Sequence, residues 1–237
     1  MSNSENENKK NQLAIVLKYQ GALAAEGHLT DIANKEGDEA VMLIAGHLSA
    51  AEVAQVTSEA DVVKPSLLHT AINIEQFRGV FRRVGVQWSD AAQSDCSPET
   101  LWEFQEELQQ FLCAFILLNE EGDRRNKLME VILDEPHGLD TLVFSTVQEK
   151  DFAEFMEHEG HVADIGDWRE VLWVLRTGFP EQWDRFKKRV PATFDGADYV
   201  DFIHEIAAEI YAVATMETGA IKETEGEKAD DLFTPLK

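Results

Sequence analysis

Glu103, Glu106 and Glu107 fall at helical steps of three and four residues, so a helix carrying them sets their carboxylates on one face. Glu130 and Asp134 repeat the arrangement further along the chain at i, i+4. Carboxylate pairs on two antiparallel helices form the oxygen-rich ligand set that Mg²⁺ takes, usually with several waters retained. On that chemistry Glu103, Glu106, Glu130 and Asp134 are the candidate metal ligands. On the other chemistry open to them, Glu103, Glu106 and Glu107 stay solvated and present negative charge to a basic partner.

The first pair fits a known pattern. Glu103-Phe-Gln-Glu106 is a Glu-x-x-Glu motif, and Glu130-Val-Ile-Leu-Asp134 comes one residue longer than a Glu-x-x-Asp motif. In this the stretch loosely resembles the all-α nucleotide pyrophosphohydrolases, over about 35 residues and without recognisable basic phosphate-binding residues. The resemblance implies a Mg²⁺-dependent nucleotide hydrolase, and Mg²⁺ as its cofactor.

A second cluster gathers Glu154, Glu157, His158 and His161, followed by Asp164 and Asp167. Imidazole with carboxylate suits zinc or iron, and Glu154 and His158 stand at i, i+4. The helix pattern ends near Gly160, however, and no H-E-x-x-H spacing occurs, so the helix dipole already accounts for a histidine there. His204, beside Asp201 and Glu205, lies opposite the Phe202/Ile206 stripe and reads as surface. His28, His47, His69 and His137 are scattered and suggest no partners. Nucleophile and nucleotide motifs are missing: there is no G-x-S-x-G, P-loop, G-x-G-x-x-G or C-x-x-C. Two basic clusters, Arg78/Arg82/Arg83 and Arg185/Lys187/Lys188/Arg189, are placed at helix C-termini. There they complement the dipole and pair with the acidic middle of the chain.

These residues need helices to position them. The strongest is SPETLWEFQEELQQFLCAFILLN, about residues 97–119. Ser97 is a good N-cap, Pro98 suits the first turn, and Glu99 faces the positive end of the dipole. Leu101, Phe104, Leu108, Phe111, Leu112 and Phe115 keep to one face. From Phe111 to Leu118 the apolar residues spread all round, which demands neighbours on every side. Cys113 belongs to that apolar run, whereas Cys96 reads as a loop residue. Helix starts are also marked by Ser49-Ala-Ala-Glu52, Ser145-Thr-Val-Gln148 and Asp167-Trp-Arg-Glu170, all capping-box patterns. Gly27, Gly85, Gly178 and Gly219 read as stops. LVF at 142–144 is the one place for a stray strand. The class is all-α: a multi-helix bundle around the long central helix. Its boundaries read as a disordered leader at 1–10, an N-terminal helical subdomain at 11–85 and a linker at 86–97. A main helical domain follows at 97–219, then a flexible tail at 220–237. Glu26-Gly-His-Leu-Thr-Asp-Ile and Glu159-Gly-His-Val-Ala-Asp-Ile share five identities, for which shared N-cap chemistry is sufficient cause.

The formal charge is −24, which disfavours nucleic acid and anionic membrane as partners and favours basic ones. Half of it comes from residues 97–160, where 16 Asp and Glu stand against 4 Lys and Arg, a balance of −12. Two cysteines make no disulfide framework, and the polar start MSNSENENKKN lacks the apolar segment of a secretory signal. The reading is therefore a cytoplasmic helical protein that binds another macromolecule, as an adaptor, chaperone or inhibitor, and needs no cofactor. Its partner is a basic or nucleic-acid-binding protein. Partner contacts are assigned to Glu103, Glu106 and Glu107, and to Leu232 and Phe233, the apolar anchor of an acidic tail.

Overall fold

Glycines and short polar side chains punctuate the chain. Gly21 adopts φ 88°, a region that L side chains avoid, and separates α1 (Asn3–Gln20) from α2 (Ala22–Glu36). Gly37, also at φ 88°, does the same before α3 (Asp38–Ala45). Ser49 opens α4 (Ala50–Thr57) with a complete capping box: its Oγ accepts from the Glu52 N–H at 3.3 Å, and Glu52 accepts the Ser49 N–H at 2.8 Å. After α5 (Leu68–Ala71), Asn73 and Gln76 form a second reciprocal cap for α6 (Ile74–Gln93). Ser97 caps α7 (Pro98–Leu117), with proline in the first turn. There follow α8 (Gly122–Asp134), α9 (Gly138–Thr146), α10 (Trp168–Gly178), α11 (Pro180–Arg189) and α12 (Ala197–Glu225).

This computed structural model describes residues 3–58, 60, 63–93, 97–119, 122–146, 152, 155–156, 167–190 and 197–225. Among the described residues the elements are twelve α-helices with no strand, an all-α bundle. No described helix is long and apolar enough to cross a membrane.

α7 packs against α5, α6, α8, α9 and α10, and every residue from Phe111 to Leu117 is buried. The all-round apolar stretch does have neighbours on all sides. Phe115 sits among Phe111, Phe77 and His69, with ring centroids 4.8, 5.2 and 4.6 Å away. α6 shares the centre: it lies along α12 over its most extensive contact and also touches α4, α7 and α8.

Several expected boundaries move. α2 runs through Gly27, because the φ > 0 break is at Gly21 six residues earlier. α6 continues through Gly85 to Gln93, so residues 86–93 of the expected linker are helix. Gly85 is used instead for close approach: a Cβ there would stand 3.0 Å from His137 Nε2. α12 likewise passes Gly219 and ends at Glu225, and α1 begins inside the polar leader. LVF at 142–144 is the middle of α9, buried on all three residues. Ser145, expected as an N-cap, lies within α9 and its hydroxyl donates back to the Leu142 carbonyl at 3.1 Å. Asp167 does cap α10, accepting the Arg169 N–H at 2.9 Å. Glu170 accepts from Arg125 of α8.

Candidate functional site

The turn between α8 and α9, Glu135-Pro-His-Gly138, holds a buried carboxylate shared by two arginines of another helix. The Glu135 N–H donates to the Ile132 carbonyl and Gly138 donates to Glu135, which folds the chain so tightly that Gly138 presses on the Ile132 carbonyl. A Cβ at Gly138 would fall 1.6 Å from that oxygen. The turn aims the Glu135 side chain, 0% exposed, at α6. There Arg78 and Arg82, one helical turn apart, each take one oxygen: Arg78 Nη1 to Oε1 at 2.9 Å and Arg82 Nε to Oε2 at 2.6 Å. Asp134 (3.6 Å) and Glu75 (3.8 Å) add looser contacts to Arg78. Burial pushes the Glu135 carboxyl up, but the hydrogen bonds and charge of Arg82 and Arg78 outweigh it and hold the group below its ordinary 4.5. With both oxygens engaged by guanidinium groups, this carboxylate is committed to structure rather than proton transfer.

His137 completes the corner. It is 1% exposed, lies parallel to the Phe81 ring at 5.4 Å, and among the described residues has no hydrogen-bond partner on either ring nitrogen. Burial pushes its imidazole below the ordinary 6.5; Glu135 and Asp140 pull it up and Arg82 pushes it down. The neutral form is therefore the resident one.

Other arginines are spent the same way. Arg125 binds Glu170 at 2.8 Å while its remaining N–H groups cap the Leu117 and Asn119 carbonyls at the end of α7. Arg124 donates to Ile72 O and to the Asn119 side chain. Arg189 engages Asp140 at 2.9 Å and Glu209. Lys187, Lys188 and Arg189 of the second basic cluster do close a helix, in the last turn of α11, with Arg185 just before them. The first does not: Arg78, Arg82 and Arg83 lie in the first half of α6, and Arg78 and Arg82 are there to meet Glu135.

The outer face of α7 contrasts with all of this. Glu103, Glu106 and Glu107 are exposed, side by side as their spacing predicts, and Trp102 beside them is 50% exposed. Among the described residues Glu103 and Glu106 have no ion-pair partner, while Glu107 accepts from the Trp88 indole at 3.0 Å. The inner face of the same helix buries two glutamines, Gln105 and Gln109, whose amides donate to the Phe144 and Ser145 carbonyls at 2.7 and 3.0 Å. These tie α7 to the end of α9.

The expected metal ligands are not gathered. Glu103, Glu106, Glu130 and Asp134 are all exposed, and no group of three or more His, Cys, Asp or Glu among the described residues is placed to hold a metal ion. Asp134 is turned to Arg78 instead. Of the second cluster, Glu154, Glu157, His158, His161 and Asp164 lie outside the described residues, as do Leu232 and Phe233. His69, which suggested no partner in sequence, is buried and accepts the Ser66 N–H on Nδ1 at 3.3 Å.

Sequence reasoning missed Glu135, Glu170, Gln105 and Gln109. The available signal was the i, i+4 arginine pair on α6, which asks for a carboxylate opposite. Against protein-family models, curated proteins and solved structures alike, the chain has no match.

Proposed function

We propose that the protein works by binding a basic protein or basic segment through the outer face of α7. One observation carries this reading: Glu103 and Glu106 stand exposed and, among the described residues, unpaired beside the half-exposed Trp102, while Arg78, Arg82 and Arg125 are engaged elsewhere. No Lys or Arg occurs from Pro98 to Leu117, so nothing in the helix itself neutralises that face. Trp102 and Glu106 are i, i+4 neighbours, and an aromatic face beside carboxylates suits an Arg or Lys side chain. The charge steers the encounter and the indole supplies a less salt-sensitive contact.

A fluorescent Lys/Arg-rich peptide, titrated at rising salt, tests this. Affinity should fall steeply once the Debye length drops below about 10 Å. The E103K/E106K/E107K variant should associate at least tenfold more slowly. A control with E39K/E130K/E205K, three other exposed glutamates, changes the net charge equally and should lose much less. Equal losses in the two variants would assign the binding to overall charge and remove α7 as the site.

A further inference from the structure

The described residues leave an apolar patch bare near the start of the chain. On α1 the outward face carries Ile15 (56% exposed) and, one turn on, Tyr19 (75%); just past the Gly21 break comes Leu23 (77%). They are three of the most exposed large apolar residues among those described. The same stretch inverts the charge of the molecule: from Lys9 to Ala25 there are three lysines and no acid, in a chain of net −24. Lys9 is engaged with Glu36, whereas Lys18 is exposed and lies over the Tyr19 ring at 5.7 Å. The patch is thus apolar with a positive rim, and fits a segment that is apolar with acidic neighbours.

Such a segment follows α12: Asp230-Asp-Leu-Phe233, with Leu236 beyond. We infer that Leu232 and Phe233 dock on Ile15, Tyr19 and Leu23, with Asp230 and Asp231 towards Lys18. Charge complementarity supports this choice of occupant, since most other surfaces of so acidic a molecule repel the two aspartates. The chain beyond α12 also has length to spare. Phe233 is eight residues past Glu225, roughly 27 Å of extended chain. Intramolecular docking of this kind gains from a high effective concentration, so weak contacts suffice.

The test is the rate at which N-acetylimidazole acetylates Tyr19 in the full-length purified protein, read by mass spectrometry with Tyr211 as internal reference. In the native chain Tyr19 should react at least about fivefold more slowly than in L232D/F233D, with Tyr211 unchanged, and the difference should survive tenfold dilution. K18E, which alters only the charged rim, should raise the Tyr19 rate part of the way. A Tyr19 rate equal in the native and L232D/F233D chains overturns the inference. Protection that vanishes on dilution also overturns it, and assigns the cover to a second copy.

Discussion

Glu135 and Glu106 are the same side chain put to opposite uses. Glu135 is withdrawn from water, held on both oxygens by Arg78 and Arg82, and kept ionised by them. Glu106 faces solvent and has no ion-pair partner among the described residues. Loss of a partner matters at the first site because water cannot replace it, and hardly matters at the second because water already has. The comparison separates carboxylates that hold the bundle together from those left for another molecule. It also explains how a chain so acidic stays compact. Arg78, Arg82, Arg125 and Arg189 are all spent on contacts between helices, and Glu103, Glu106 and Glu107 carry their charge outside.

The sharpest way to break the comparison is to strip Glu135 of its cations. R78M/R82M leaves a buried carboxylate alone and should destabilise by about 3–5 kcal/mol in urea melts, the same scale as Phe115→Ala in the core, about 3–5 kcal/mol. Adding E135L should recover much of that loss, since an apolar replacement of a buried ion pair is often close to neutral. If R78M/R82M melts like the native chain, Glu135 is not the closed site described. Next in size is G138A. The Ile132 carbonyl occupies the place of the new Cβ, and the forced shift should cost about 1–3 kcal/mol. A native melting curve would show that the turn has slack.

Acid titration sharpens the contrast further. Both perturbed groups of the corner have folded pKa values below their unfolded ones, so the unfolded chain binds more protons and stability falls as pH falls. His137 should begin the loss below its ordinary 6.5 and Glu135 should add to it below 4.5. H137F should flatten the upper part of the curve and leave the lower part. Stability of the native chain that stays level from pH 7 to 5 would contradict the burial of His137. The smallest effect belongs to E103K/E106K/E107K, which should shift melting by no more than about 2 °C while changing association with a basic peptide. A large drop in melting would place these glutamates with Glu135 as structural groups.

Much of the fold is legible in the sequence because helix ends are settled within a few residues. Ser49 with Glu52, Ser97 with Pro98, and Asp167 each act on N–H groups of their own first turn, and all three start helices as their chemistry demands. The apolar run from Phe111 to Leu117 implies its burial for the same local reason. Glycine misleads where its local freedom is not what the fold uses: Gly85 and Gly27 pass through helices, and among the described residues only Gly21 and Gly37 take positive φ. The site was half legible. Spacing alone placed Glu103, Glu106 and Glu107 together on a polar face, but could not show whether another helix would bring Glu130 and Asp134 to meet them.

What the amino-acid sequence determined by itself is therefore the all-α class, the helix starts at Ser49, Ser97 and Asp167, the apolar face of α7 and the sign of the net charge. Each depends on neighbours within one or two turns, or on a sum over the chain. Only the tertiary structure decided which carboxylates are buried. Arg78 and Arg82 reach Glu135 across 57 and 53 residues, and Arg125 reaches Glu170 across 45. Such pairings depend on which helix crosses which and at what depth, since burial turns a weak surface attraction into a strong constraint. His137 is the same case: nothing in Glu135-Pro-His-Gly138 predicts a neutral imidazole against Phe81, because α6 supplies that ring.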